Sequence, residues 1–189
     1  MIEVVDWSPV WAVDFERVAV DLRRALATVP GARVEHVGST SVPGLAAKPI
    51  LDIDVIVERV EVPAAVAALV GIGYHHRGDL GVTGREAFSA PDASPRRHVY
   101  VCEAGTVNVR NHLAVRDTLR VRDDLRDAYA EVKLSLATDP DLDIDTYIAR
   151  KSAVVQRVLD ASGEFSEDEL AAIHRLNDPT SPEATACRT

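Results

Sequence analysis

The sequence predicts an α+β fold, in which helices and strands occupy separate stretches of the chain. Near the N-terminus, apolar side chains recur every three or four positions, as they do in an amphipathic helix. Two short alternating stretches, residues 33–37 and 50–57, are typical of strands. From residue 74 the chain changes to short strands separated by glycine and proline turns, and then to long helical stretches. This order is that of an α+β protein, and 189 residues suffice for one domain with a short appendage.

The first helix is predicted to begin at Ser8-Pro9, which supply a capping hydroxyl and a first-turn proline, and to end at Val29-Pro30-Gly31. Its buried face consists of five apolar residues: Trp11, Phe15, Val18, Leu22 and Leu26. A second, Ala/Val-rich helix is predicted over residues 63–69. Further strands are predicted at residues 74–77, 85–89 and 97–102.

The rest of the domain is predicted to be helical. A long helix covers residues 111–137 and is broken by Asp139-Pro140, and another covers about 143–160. The second of these helices carries Tyr147, Ile148, Val154, Val155 and Val158 on its inward side.

A short appendage follows Gly163. Ser166 and Glu169 form a Ser-x-x-Glu capping box that predicts an extra helix. The last dozen residues look like a frayed tail. We therefore divide the chain into a domain of residues 1–162 and a short helix with a flexible tail at 163–189.

Charge and composition exclude several classes of protein. Lysine and arginine number 21 against 30 aspartates and glutamates, giving a formal net charge of −9, which repels a long nucleic acid over most of the surface. A small anion could still bind where local cations or a metal offset the field. There is no apolar run of about 18 residues and no signal-peptide pattern, so we expect a cytoplasmic protein without a membrane span. Cys102 and Cys187 are then expected to be ordinary thiols, with a disulfide as the alternative.

One stretch of the sequence carries recognisable chemistry, and it ends in an aspartate pair. A predicted strand runs into Gly38-Ser39-Thr40, where small residues allow backbone N–H groups to approach a phosphate closely. Asp52 and Asp54, two apart on the next strand, project to the same side. Two such carboxylates repel each other unless a divalent cation lies between them, and Mg²⁺ fits this ligand set. The alternative is a solvent-facing acidic pair at the margin of the sheet.

The combination of Gly-Ser, a spacer of about a dozen residues and two aspartates resembles the signature of the DNA polymerase β-type nucleotidyltransferase superfamily. The fuller run EHVGSTSVPGLAAKPILDIDVIV (35–57) looks more narrowly like the GrpB family within it. Three later segments agree in order: RRHVYV (96–101), HLAVRDTLR (112–120) and YIARKSAVV (147–155). The resemblance covers roughly residues 5–160. It implies a nucleotidyltransferase-like fold, with a small mixed β-sheet flanked by helices.

The resemblance also implies roles for the motif. In active superfamily members the Gly-Ser turn holds a nucleoside triphosphate and the aspartates bind Mg²⁺, roles that would fall here on Gly38, Ser39, Asp52 and Asp54. A third carboxylate on a later strand usually completes the site. The matching strand here has no acid on the face of His98, and where the GrpB family typically has His-x-His this chain has His-x-Tyr.

Three functions follow from this resemblance. The first is Mg²⁺-dependent transfer of a nucleoside monophosphate to a hydroxyl, with pyrophosphate leaving. The second is a catalytically silent ligand-binding or partner module, since GrpB-like domains also occur fused behind dephospho-CoA kinase. The third is a metal-dependent phosphohydrolase. The retained aspartates favour chemistry, and the missing third acid favours the silent module.

Histidines and cations elsewhere are further candidates. His98 could be a metal ligand or a proton carrier near the aspartates, or a hydrogen-bonded structural histidine. His36, just before the turn, could orient the turn or fill space. Lys48 could neutralise a phosphate or lie exposed in its loop. Lys151 falls on the apolar seam of its predicted helix, where it must snorkel or bind an anion.

Arg116 and Arg120 share one face of the long predicted helix. They could clamp a phosphate, or pair locally with the aspartates at 117, 123 and 124. The exposed strands of a small sheet would also suit a homodimer. The expected partner is thus a nucleotide or another small phosphorylated ligand.

Overall fold

The centre of the fold is a five-stranded mixed sheet with the strand order β1-β2-β5-β4-β3. It is seen in a computed structural model that describes residues 4–138 and 144–177, without the side chains of 136–138, 144–148 and 176–177. The strands are β1 (Arg33–Val37), β2 (Leu51–Val57), β3 (His75–His76), β4 (Arg85–Ser89) and β5 (Arg97–Glu103). The predicted α+β class and all five strands are confirmed, with ends that move by at most one residue.

The central strands β2 and β5 run parallel, and every other pair is antiparallel. In this register Asp52 lies opposite His98, and Asp54 lies opposite Tyr100. The apolar residues Ile53, Val55 and Val57 alternate with the aspartates and are buried in the main core. Because alternate residues of a strand face opposite sides, both aspartates point away from that core, as predicted.

Helices cover both faces of the sheet. On the main-core side lie α1 (Val10–Ala25) and α2 (Val62–Gly71), and the predicted apolar face of α1 is buried there. On the aspartate side, Val109 packs against Ile56 and Cys102 of the sheet. The helices that follow β5 are α3 (Val107–Val121), α4 (Asp123–Thr138), α5 (Ile144–Ser162) and α6 (Glu167–Asn177).

The single helix predicted over residues 111–137 is wrong, because the structure has two helices there. Arg122 leaves the helical region with φ −117° and ψ 88°, which ends α3. Asp123 and Asp124 then occupy the first turn of α4, where acidic side chains interact favourably with the helix dipole. The predicted break at Asp139-Pro140 lies outside the described residues.

The appended helix α6 packs on α3 and α5. Phe165 and Ile173 join Ala114 and Leu159 in a small apolar cluster. The capping box is confirmed: the Ser166 backbone N–H donates to Glu169 Oε2 at 2.9 Å, and the Glu169 N–H donates to Ser166 Oγ at 3.3 Å. The division of the chain at residue 162 stays a prediction, and the tail from residue 178 lies outside the described residues.

Two expectations from composition can be compared with the described residues. Within them, none of the helices combines the length and apolar character needed to cross a membrane. Cys102 is a buried free thiol, and Cys187 lies outside the described part of the chain. Burial, followed by the negative charge of Asp54, raises the pKa of Cys102, so this thiol stays protonated.

Candidate functional site

The site is organised by the contact between Gly38 and Asp52. Gly38 has φ 68° and ψ −172°, a backbone region that is accessible essentially only to glycine. A Cβ atom at this position would lie 2.9 Å from both Cβ and Cγ of Asp52. The absence of a side chain therefore lets the turn after β1 pack directly against the first aspartate.

The residues after Gly38 fold into a short 3₁₀ turn, Ser39–Ser41. Ser41 Oγ donates to the Gly38 carbonyl at 2.6 Å and so closes the turn on itself. The Thr40 hydroxyl is buried, donates to the Ile50 carbonyl at 3.3 Å and bonds His36 Nε2 at 3.0 Å. Thr40, predicted to contact phosphate, thus uses its hydroxyl for internal bonds. It lines the smaller of the two cavities described below, whereas Ser39 lines both.

Each aspartate is hydrogen-bonded to a histidine. Asp52, about one-third exposed, lies with Oδ1 3.0 Å from His98 Nδ1. Asp54 is fully buried, and its Oδ2 lies 2.7 Å from His112 Nδ1. The other oxygen of Asp54, Oδ1, is buried and has no hydrogen-bond partner in the part of the chain that the structure describes.

These contacts raise the pKa of both imidazoles. For His98 the hydrogen bond to Asp52 is the main cause and outweighs burial. For His112 burial alone would lower the pKa, but the hydrogen bond and charge of Asp54 outweigh it. Both carboxylates therefore face an imidazole that is more easily protonated than an ordinary histidine.

Strand β5 places a tyrosine and a histidine opposite the two aspartates. Tyr100 stands opposite Asp54 across the β2–β5 pair, and His98 stands opposite Asp52. Within residues 4–138 and 144–177, no three histidine, cysteine, aspartate or glutamate side chains are grouped so as to hold a metal ion. The described part of the chain thus offers a cation two carboxylates rather than three.

A cleft of about 470 Å³ opens beside Asp52, between the turn and helices α3 to α5. Its polar lining comes from several elements: Gly38, Ser39, Asp52, Asn111, His112 and Lys151. A smaller cavity of about 270 Å³ adjoins it, and the two share Ser39, Asp52, Tyr129 and Lys151. The predicted turn, the first aspartate and one predicted cation therefore lie around one space.

The lysines are concentrated at this place. The chain contains only three, Lys48, Lys133 and Lys151, and all three line the smaller cavity together with His98. Lys48 and Lys151 are exposed. Lys151 was predicted to lie on the apolar seam of its helix, and it lines the cleft. Tyr147 and Ile148, which were predicted to lie on the inward side of the same helix, are outside the described side chains.

Lys133 and His112 are site residues that the sequence analysis missed. Lys133 lies on α4, is 8% exposed and bonds the Ser39 hydroxyl. One signal could have identified it, because it follows Tyr129 by four positions on the buried side of an amphipathic helix. His112 opens the segment HLAVRDTLR, but nothing local to that segment indicates its pairing with Asp54.

Arg116 and Arg120 were predicted as phosphate-binding candidates, and the structure positions them behind the turn, away from the lining of either cavity. Arg116 Nη1 donates to Glu35 Oε2 at 2.8 Å and to the His36 carbonyl at 3.2 Å. Arg120 donates twice to the Ser41 carbonyl, at 3.1 and 2.9 Å. Both guanidinium groups therefore brace the backbone of the turn.

The alternative of local ion pairing is confirmed in part. Arg116 pairs with Asp117 at 2.7 Å, and Arg120 lies 3.7 Å from the same carboxylate. The aspartates that begin α4 pair elsewhere: Asp124 with Arg122 and Asp123 with Arg126.

His36 has a structural position. Its ring stacks on Phe15, with centroids 4.6 Å apart and planes 11° apart. Burial, with a smaller contribution from the nearby Arg120 charge, lowers the pKa of His36 to about 4. The neutral ring of His36 therefore supports the turn through its hydrogen bond with Thr40.

Sequence comparisons identify relatives over nearly the whole described domain. Residues 1–161 match the family described as GrpB protein. The UPF0157 protein BH1888 of Halalkalibacterium halodurans is 36% identical over 160 residues, which make up 84% of this chain and 80% of that protein. A dephospho-CoA kinase of Mycolicibacterium paratuberculosis is 27% identical, and the match covers 79% of this chain and 43% of the kinase.

Solved structures share the fold. The crystal structure of conserved protein GrpB from Enterococcus faecalis superposes with a TM-score of 0.70 and 34% identity, covering 85% of this chain and 96% of that one. The Cid1 poly(U) polymerase, solved with MgGTP bound, superposes with a TM-score of 0.50 and 16% identity, covering 69% of this chain and 43% of that one. At that identity the second likeness concerns the nucleotidyltransferase-like fold alone.

Proposed function

The chain belongs to the GrpB family, and from that premise we propose that it binds a nucleotide or related phosphate compound with Mg²⁺ and transfers a nucleoside monophosphate to a hydroxyl. The observation that carries the proposal is the packing of Gly38 on Asp52. It brings a turn suited to phosphate against Asp52 beside one cleft, with Asp54 buried two residues further along the same strand.

The two carboxylates fit Mg²⁺ in chemistry and in number. Asp52 and Asp54 each use one oxygen for a histidine, and Asp54 Oδ1 is a buried oxygen without a described partner. Mg²⁺ is commonly held by one or two carboxylates, with water and substrate phosphates completing its shell. When bound, it would neutralise the charge that develops on the phosphates.

The cations of the cleft would act on the same ligand. Ser39 and the backbone of its turn would contact a phosphate directly, and Lys48 and Lys151, which line the same cavity, would reduce its negative charge. Arg116 and Arg120 contribute indirectly, because they hold the turn in shape.

His112 is our candidate for the role of the missing third carboxylate. When Nδ1–H is donated to Asp54, the neutral ring carries its lone pair on Nε2, on the other side of the imidazole. His112 also lines the cleft, so this nitrogen could accept the proton of an attacking hydroxyl. A histidine oriented by a buried aspartate would thus replace a carboxylate as general base.

The second candidate function is a silent ligand-binding or partner module of the same fold. One observation favours it: β5 offers Tyr100 and His98 where active superfamily members have a third acid. The similarity to part of a dephospho-CoA kinase supports a role beside another domain.

Calorimetric titration of each nucleoside triphosphate, with and without Mg²⁺, tests the proposal. We expect Mg²⁺-dependent binding that Asp52→Asn weakens at least about tenfold. Asp21→Asn, which changes an exposed carboxylate of α1, should leave it intact. If no triphosphate binds the wild-type protein, or if Asp52→Asn binds equally well, the proposal is wrong.

Product analysis separates the functions that binding leaves open. Incubation with a triphosphate and a hydroxyl acceptor should release pyrophosphate and label the acceptor if the chain is a transferase. Release without labelling indicates a phosphohydrolase. Binding without turnover indicates the silent module.

A further inference from the structure

The environment of Lys133 is unusual for a charged amine. Its Nζ contacts neutral groups: the Ser39 hydroxyl, the Ala46 carbonyl at 3.4 Å and the ring of Tyr129 at 4.8 Å. Among the described residues no carboxylate forms an ion pair with it. An ammonium ion that has left water without an anionic partner is costly to bury, whereas a neutral amine is not.

The charged groups that line the cavity beside Lys133 come from several elements of the fold. Lys48 from the loop before β2 and Lys151 from α5 are positive, and Asp52 from β2 is negative but already bonds His98 of β5. Tyr129 of its own helix is buried, and burial raises the pKa of its phenol to about 12, so it adds no charge. Burial, followed by repulsion from Lys151, lowers the pKa of Lys133 to about 7.

We propose that Lys133 is a neutral amine in the ligand-free protein and takes up a proton when phosphate charge enters the cleft. The identity of the anion rests on the proposed function. A phosphate that contacts Ser39 lies one hydroxyl group away from Lys133, and its charge favours the ammonium form.

Lys133 is therefore a positioning residue for Ser39 whose charge depends on the ligand. Without a ligand, the neutral amine holds the Ser39 side chain at low electrostatic cost. With a ligand, the ammonium supplies the third positive charge of the cavity, beside those of Lys48 and Lys151. Arginine could not act in this way, because its guanidinium does not lose its proton in proteins.

Lysine-selective ¹³C labelling makes the test direct, because the chain has only three lysines. The ε-carbon signal that is missing from Lys133→Met identifies Lys133. In the ligand-free protein that signal should titrate near pH 7, and Lys151→Met should move its midpoint upward by removing a repelling charge. A Lys133 midpoint in the usual lysine range near 10.4 would overturn the proposal.

The second arm adds saturating inorganic pyrophosphate with Mg²⁺. The Lys133 midpoint should rise by at least about one pH unit. Calorimetry at pH 8 in two buffers of different ionisation enthalpy should show at least about 0.4 of a proton fewer taken up by Lys133→Met than by the wild type, the difference that a one-unit rise from pH 7 produces. His98 and His112 remain in both proteins, so their own contribution cancels in this difference.

The outcomes distinguish this inference from the proposed function. If pyrophosphate binds and the Lys133 midpoint does not move, or if both proteins take up equal numbers of protons, the coupling is overturned while the proposed function stands. If neither pyrophosphate nor any triphosphate binds, both fail. A urea-unfolding curve checks that Lys133→Met is folded. We expect it to be, because methionine has an unbranched apolar side chain of similar length.

Discussion

The close approach of Gly38 to Asp52 predicts that Gly38→Ala is strongly destabilising. Alanine would have to adopt φ 68° and ψ −172°, which costs about 1–3 kcal/mol for a residue with a side chain. Its Cβ would also lie 2.9 Å from two carbon atoms of Asp52, and relieving such an overlap costs about 1–3 kcal/mol more. We therefore expect the free energy of unfolding to fall by about 2–6 kcal/mol.

Gly31→Ala is the matched control for this measurement. Gly31 has nearly the same φ, 67°, but a Cβ there would meet no atom within 4 Å. It should therefore cost only the backbone strain, about 1 kcal/mol. Urea unfolding followed by circular dichroism gives both values. If the two variants lose equal stability, the contact with Asp52 contributes nothing and the argument for a rigid turn beside the aspartate is refuted.

Two further predictions concern the support of the site. Burial lowers the pKa of His36 to about 4, from 6.5 in the unfolded chain. When the pH is lowered between these two values, the unfolded chain takes up the proton and the folded chain does not. The free energy of unfolding should therefore fall by up to about 1.4 kcal/mol per pH unit from pH 6.5 to pH 4 and no further below. His36→Gln should lose that part of the pH dependence in urea titrations, and an unchanged slope would contradict the assignment. Arg110 pairs with Glu169 at 2.7 Å and lies over the Phe165 ring at 4.6 Å. Arg110→Ala should therefore speed hydrogen exchange in α6. Arg122→Ala, which removes an exposed ion pair with Asp124, should leave that exchange unchanged. Unchanged exchange in α6 would mean that its apolar contacts alone hold it.

Much of the fold could be predicted because its signals are local. The alternation of β2 fixes which side its aspartates face, and the spacing on α1 fixes its buried residues. The break at Arg122 was missed because the apolar periodicity of α3 and α4 is nearly continuous. In addition, the aspartates that begin α4 are equally compatible with the exposed face of a single helix.

The contiguous part of the site was the easiest to predict, although His98 and Lys151 were also identified from distant segments. Gly38, Ser39 and the two aspartates lie within 17 residues of each other, and their motif is readable. His112 meets Asp54 across 58 positions, and Lys133 meets Ser39 across 94. Contacts at such separations depend on how α3 and α4 pack over the sheet, which no single segment encodes.

The same reasoning explains why the charged arginines turned out to be structural. Arg116 and Arg120 have the spacing of a phosphate clamp, but backbone carbonyls of the turn lie within reach of both guanidinium groups. A planar guanidinium with five donors satisfies several such acceptors at once, which suits it to bracing a loop. Asp117, the next residue in the chain, supplies the negative charge that compensates Arg116.

The distribution of cations in this chain favours a small ligand over a polymer. The net charge is −9, so the average field repels anions, and several arginines are held in ion pairs, including Arg97 with Asp92 and Arg110 with Glu169. The lysines, in contrast, all face one cavity of about 270 Å³ beside Ser39. A duplex needs a basic stripe that follows its backbone, whereas a few phosphate groups need only a local concentration of cations. Attraction that is confined to one cavity of a protein with a net charge of −9 would favour anions small enough to enter that cavity.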